Sequence, residues 1–273
     1  MRLRLPALAA AIATGLLMSV APAASAQKTT VSLSGSTSVA PLATDLIVSA
    51  LRRSPFRGRV KFRLLRGGSD VGITDVARGR VSIGMSSRDP KSADPDGVVF
   101  NKVAKDAVCV VSNPRNPLPN LSQAQIQDIF SGRVRSWSRV PGSKVNGTIA
   151  LAVRTPASGT QDAFQNIFMG QNLRVSGAAT PYRSSGLQEQ AIQSNPNAIG
   201  YVSFAFTGDL HNIPFKGVQC TLRNAKAGTY GGVRNFFMVT RGKARGAVKA
   251  FIRFIRRSPV AQDITAKNYV PLR

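Results

Sequence analysis

The chain has 273 residues, with 37 Lys and Arg against 12 Asp and Glu and one histidine, for a formal charge of +25. Two cysteines, one histidine and widely spread acids offer no metal-ligand spacing and no set suited to a metallohydrolase. The basic excess favours anionic partners, but the cations stand singly or in pairs and the one Trp and four Tyr do not alternate with them, so the sequence reads as a solvated basic surface and not as a nucleic-acid platform.

Residues 1–26 read as an export signal. Arg2 and Arg4 form a basic start, Leu5 to Val20 is mostly apolar, and Ala24-Ser25-Ala26 has the small residues of a cleavage site. The apolar part is too short and too interrupted for a comfortable membrane span. Cleavage after Ala26 leaves about 247 residues at a charge of +23, enough for one large domain or two lobes with real cores. In the oxidising compartment beyond the membrane, Cys109 and Cys220 form either a disulfide or two separately buried thiols, and each lies in a strand-like context.

Along the chain, Thr30 to Leu33 predicts a strand, followed by the polar turn Ser34-Gly35-Ser36-Thr37-Ser38 and a helix from Pro41 through Arg53. Val60 to Leu64 alternates as the next strand, and Gly67-Gly68-Ser69-Asp70 opens a helix to about Ala77. Val81 to Met85 is a strand that ends in Ser86-Ser87-Arg88. Ala107 to Val111 is a buried strand, with a soft break before it near Lys105-Asp106 and another near Gly228. Ser122-Gln123-Ala124-Gln125 is a capping box ahead of Ile126, Ile129 and Phe130.

Ile149 to Val153 predicts a strand, and Gln161 to Met169 a helix with Phe164, Ile167 and Phe168 on one face, closed by Gly170. Ser184-Ser185-Gly186 begins a further helix to about Ser194, and Ile199 to Val202 is a strand. His211 sits in a turn and reads as an exposed loop residue. Lys243 to Arg257 is a basic amphipathic helix with Val248, Phe251, Ile252 and Ile255 on one face, read as packed on a sheet with its cations in water.

Strands alternating with helices predict an α/β fold with mainly parallel sheets. Such sheets hold ligands at the carboxyl ends of their strands, where this chain repeatedly places hydroxyls. The turn Arg154-Thr155-Pro156-Ala157-Ser158-Gly159-Thr160 is the richest of them. A helix N-terminus suits an anion, Gly159 permits close approach, and the fork of Arg154 matches two oxygens of a tetrahedral oxyanion. On these residues alone, a plain helix cap at Ser158 and a plain surface cation at Arg154 remain equally open.

The motifs also carry a family likeness. They are Ser34 to Ser38 with Pro41-Leu42, Gly67-Gly68-Ser69, Ile83 to Arg88, Lys105-Asp106-Ala107, Asn113-Pro114, Ile129 to Gly132 with Trp137, Arg154 with Ser158-Gly159-Thr160, Ile199 to Val202, and Gly228-Thr229-Tyr230. Over nearly its whole mature length the chain resembles the phosphate-binding proteins of bacterial phosphate ABC importers. The resemblance implies a two-lobed, type II periplasmic binding fold, an α/β architecture closing on one oxyanion. Lobe 1 would hold residues 27–104 completed by 229–273, and lobe 2 residues 105–228. It implies phosphate binding by Ser36, Thr37, Ser38, Ser69, Ser86, Ser87 and Arg88 from lobe 1 and by Arg154, Ser158, Gly159 and Thr160 from lobe 2. Further implications are a monomer in the periplasm, delivery to permease subunits of the inner membrane, no enzyme activity, no metal or cofactor and no nucleic-acid partner.

One departure bears on specificity. Several family members carry an aspartate where this chain has Ser87, so sulfate, arsenate or a metal oxyanion is less firmly rejected. Asp106 is a candidate substitute acceptor or a hinge cap. A secreted phosphatase with Ser158 as nucleophile is the rival class, and it lacks a neighbouring base.

Overall fold

The computed structural model describes residues 27–272, so the expected export signal lies outside the described residues. Val31 and Leu33 on β1 (Thr29–Gly35) point into a core, and the strand pairs in parallel with β2 (Val60–Leu64) and β3 (Ile83–Ser86). The helices α1 (Ala40–Leu51) and α2 (Ser69–Ala77) make the crossovers. Each carries the chain from one parallel strand to the next, the crossover that parallel pairing requires.

The chain then enters β4, a strand of 15 residues (Val98–Ser112) that belongs to two sheets. Its first part, to Ala107, pairs antiparallel with β9 (Val233–Arg241), which in turn pairs with β3. Its second part, from Val108, pairs antiparallel with β7 (Ala198–Ser203) and with the short β8 (His211–Asn212). Parallel pairing resumes outward through β5 (Ala150–Arg154) to β6 (Thr180–Tyr182). The strand order is β2-β1-β3-β9-β4-β7-β5-β6, with parallel pairs on the flanks and antiparallel pairs at the centre. The soft break expected near Lys105-Asp106 is therefore the interior of a continuous strand, because Asp106 keeps its ladder partner Arg234.

Two large cores flank that strand, and a smaller one of Ile73, Val76, Val81, Phe237 and Val239 lies under α2. One gathers Leu33, Leu42, Leu46, Met85, Phe236 and Phe251 beneath α1, α7 (Gly246–Arg257) and α8 (Pro259–Asn268). The other gathers Val110, Phe130, Trp137, Phe164, Ile199 and Tyr201 beneath α3 (Gln123–Phe130), α4 (Gly159–Phe164) and α5 (Ser185–Ser194). The capping box of α3 forms as expected, with Ser122 and Gln125 satisfying each other's backbone N–H. The helix after Ser158 is shorter than expected, since Gln165–Met169 widens into a π turn before Gly170 ends it.

Cys109 and Cys220 are joined as a disulfide with Cα atoms 5.7 Å apart, within the range a bridge needs. Cys109 lies on β4 as expected, whereas Cys220 lies in the loop ahead of α6 (Leu222–Ala227). His211 is half-buried, not exposed, and its Nε2 lies 2.7 Å from the carbonyl of Leu118.

Candidate functional site

The N-termini of α1, α2, α4 and α5 converge on one buried cluster of hydroxyls. From the first core's side, Ser36, Thr37 and Ser38 fill the β1–α1 turn, Ser69 is the first residue of α2, and Ser87 follows β3. From the other side come Thr160 in the first turn of α4 and Ser185 at the start of α5. Each of these seven residues is at most 7% exposed. Ser36 Oγ donates to Ser87 Oγ at 2.9 Å, and the Ser87 N–H donates to Ser69 Oγ at 3.0 Å. Across the two lobes, Thr37 Oγ1 lies 3.0 Å from Ser185 Oγ and Ser38 Oγ lies 2.9 Å from Thr160 Oγ1.

Arg154 ends β5 and reaches into this cluster. Its Nη2 donates to Thr37 Oγ1 at 3.1 Å and its Nη1 to Ser185 Oγ at 3.0 Å. Its remaining donors go to backbone carbonyls, Nε to Tyr182 and Nη2 to Arg183, both at 3.0 Å. Every one of these acceptors is neutral, and among the described residues no carboxylate pairs with this guanidinium. Burial pulls the Arg154 pKa down to about 10; Tyr201 opposes the shift and the cation of Arg234 adds to it. The site is therefore a buried positive charge in a shell of hydroxyls and helix N-termini, and all three of those features attract an anion.

The other two buried arginines are neutralised. Arg88, expected in the site, turns away from it: its Nε donates to Asp70 at 2.7 Å and its Nη1 to Asp94 at 3.0 Å. Burial opposes its charge, but Asp94 and Asp70 outweigh that and hold its pKa above the ordinary value. The Ser86 hydroxyl is likewise occupied in its own turn, donating to the Arg88 carbonyl at 2.9 Å. Arg234 on β9 pairs with Asp106 on β4 through Nε and Nη2, at 2.9 and 2.7 Å, beside the point where β4 changes sheets. Asp106 thus sits on the crossover strand with its charge taken up by Arg234.

Ser158 caps α4 by accepting from Thr160 and Gln161, so its hydroxyl holds the helix start in place. Gly159 is needed for close approach: a Cβ there would stand 2.4 Å from Ser69 Oγ and 2.7 Å from Ser87 Oγ. At Gly68, whose φ of 102° already favours glycine, a Cβ would lie 2.7 Å from the Ala157 carbonyl. The Asp70 N–H donates to that same carbonyl at 3.1 Å, and Lys91 forms an ion pair with Asp162. These contacts join the two lobes around the cluster. Beneath it, Tyr201 stacks on Phe164 at 3.8 Å between centroids and its hydroxyl accepts from the Arg154 N–H, which fixes the end of β5.

Of the residues singled out in the sequence, Ser36, Thr37, Ser38, Ser69, Ser87, Arg154, Gly159 and Thr160 meet in one place, and Ser158 supports them. Ser185 and Arg234 were not singled out. Ser185 is hidden by its neighbour Ser184, an ordinary cap that accepts from the Leu187 N–H. Arg234 is one cation among 37.

Residues 20–258 match the family described as a PBP superfamily domain. The chain is similar to the phosphate-binding protein PstS of Bacillus subtilis, 25% identical over 246 residues that cover 88% of this chain and 80% of the relative. A Clostridium perfringens protein, described as a phosphate ABC transporter substrate-binding protein and solved with bound phosphate, is 31% identical with a TM-score of 0.83. That match covers 89% of this chain and all of the other. An ABC-type phosphate transport receptor from Vibrio cholerae is 26% identical with a TM-score of 0.70, over 88% of this chain and 99% of the receptor.

Proposed function

Because the chain belongs to the PBP superfamily, and within it to the substrate-binding proteins of phosphate ABC transporters, we propose that it captures inorganic phosphate with high affinity outside the cytoplasmic membrane and delivers it to a permease. The observation that carries this reading is Arg154, buried beneath neutral acceptors with no carboxylate to balance it. A tetrahedral oxyanion supplies the missing charge and accepts from the hydroxyls of Ser36, Thr37, Ser38, Ser69, Ser87, Thr160 and Ser185. Gly159 lets both lobes reach the ion, Ser158 holds the start of α4, and Ser86 and Arg88 shape the turn that presents Ser87.

Closure is a rotation of one lobe on the other about β4 and the segment that leads into β9, where the chain passes between them. Phosphate held by many charge-assisted donors in a water-free site reaches a micromolar or tighter dissociation constant, about −8 kcal/mol or better. A hydroxyl accepts the proton of hydrogen phosphate, so discrimination against sulfate rests on hydrogen bonding and not on charge repulsion. Hydrolysis finds no support in the geometry: Ser158 Oγ is engaged in its cap and the half-buried His211 bonds Leu118.

Titration calorimetry tests the reading. One-to-one binding of phosphate at micromolar concentration, with weaker sulfate binding, is the expected result. No heat with phosphate at about 100 μM, a hundredfold above the expected constant, would overturn it.

A further inference from the structure

The positive charge of the chain is unevenly placed. Residues 27–104 and 229–273, the lobe-1 half, carry 23 Lys and Arg against 7 acids, while residues 105–228 carry 12 against 5. Part of the excess lies on the outer face of the layer formed by α1, α7 and α8, the side of the sheet opposite α2. Arg52 and Arg53 end α1, Arg253, Arg256 and Arg257 line α7, and Lys267 ends α8. All six are exposed, and among the described residues none is in an ion pair. In a shallow groove between α1 and α8, Arg52 and Arg53 border Lys267, and Arg253, Arg256 and Arg257 line a second groove beside α7. The acids on this face are Asp45 and Asp263.

A second feature marks the same face. Val48, Leu51 and Val260 are 48%, 37% and 38% exposed there, aliphatic tips set among the cations. The apolar face of α7, with Phe251, Ile252 and Ile255, is buried in the core, so it leaves its cations pointing outward.

We propose that this face docks the protein flat on a membrane surface rich in anionic phospholipid headgroups. Cations near such a surface each add to attraction, and small aliphatic side chains enter the boundary between headgroups and acyl chains. A nucleic acid fits less well: among the described residues the exposed large apolar side chains are all aliphatic, which leaves no ring there on which bases stack. The residues lie on one lobe, away from the helix N-termini that form the oxyanion cluster. Docking therefore persists whether the lobes are open or closed, and it keeps a diffusible carrier beside the membrane. The inference does not depend on which oxyanion the cluster takes.

The test is co-sedimentation of the full chain with vesicles of phosphatidylcholine alone or with about 30% phosphatidylglycerol, at about 50 and 500 mM NaCl. Binding is expected only with phosphatidylglycerol, weakened by salt, and unchanged by saturating phosphate. Charge reversal at Arg253→Glu, Arg256→Glu and Arg257→Glu together should weaken it by about a hundredfold or more. Reversal of the exposed lobe-2 pair Arg223→Glu and Lys226→Glu should change it less than about threefold. Val48→Ser with Val260→Ser should lower the binding that survives at high salt. Phosphate calorimetry on each variant reports that it is folded. Equal losses from the two charge reversals, no loss from the α7 reversal, or displacement of vesicles by a duplex oligonucleotide at equal phosphate concentration would each overturn the proposal.

Discussion

Replacing Arg154 with methionine separates the two consequences of a buried, unbalanced cation. A pKa held at about 10 by burial corresponds to roughly 3 kcal/mol of unfavourable environment for the charged form in the ligand-free protein. Methionine removes that penalty and fills most of the volume. It leaves the carbonyl of Arg183 without its donor, at a cost of about 1–3 kcal/mol, while the Tyr182 carbonyl keeps the Thr155 N–H and Thr37 and Ser185 retain each other. The ligand-free variant should therefore melt within a few degrees of the parent or above it. Its phosphate affinity should fall by at least about a hundredfold, because truncating one partner of a buried charge pair costs about 2–5 kcal/mol.

Differential scanning calorimetry without phosphate and titration calorimetry with it give the two numbers. Titration adds a third. The guanidinium binds fewer protons folded than unfolded above pH 10, so ligand-free stability from this group rises with pH through that window while phosphate affinity falls. Retained affinity in the Arg154→Met protein, or a large drop in its ligand-free melting temperature, would refute the claim that this cation is kept for an anion.

Gly159→Ala places a methyl against Ser69 and Ser87, so the lobes should fail to close fully. Scattering should show no compaction on adding phosphate, with affinity lowered by at least about tenfold and ligand-free stability nearly unchanged. Ser185→Ala removes an acceptor of Arg154 and should weaken phosphate binding by about fivefold, one neutral hydrogen bond, as read by calorimetry. Replacing Cys109 and Cys220 with serine opens a loop of 111 residues and should lower unfolding free energy by about 2–4 kcal/mol in denaturant titration, without altering phosphate affinity.

The sequence was most legible where a local pattern decides the structure. The capping box at Ser122, the cap at Ser158, the strand–turn–helix units at Ser36 and Ser69 and the strand end at Ser87 all depend on neighbours a few residues away. What remained hidden depends on distant partners. Arg88 looks like a ligand contact until the fold brings Asp70 and Asp94 to it. Ser185 looks like half of a helix start until Thr37, 148 residues away, arrives beside it. The strand β9 and the helix α8 were not anticipated. Nor was the first part of β4, where exposed and buried positions follow no simple alternation because two ladders share one segment.

The position of β9 has a consequence for the order in which the molecule takes shape. It lies between β3 and β4, and its Phe236 and Met238 complete the core beneath α1. During synthesis the amino-terminal half therefore waits, its sheet open along one side, until residues 233–241 emerge. The contiguous half in between already holds its strands β5 to β8 and both cysteines. Such a chain ripens from the middle outward, and its earliest segment stays loose until the last strand arrives to lock it.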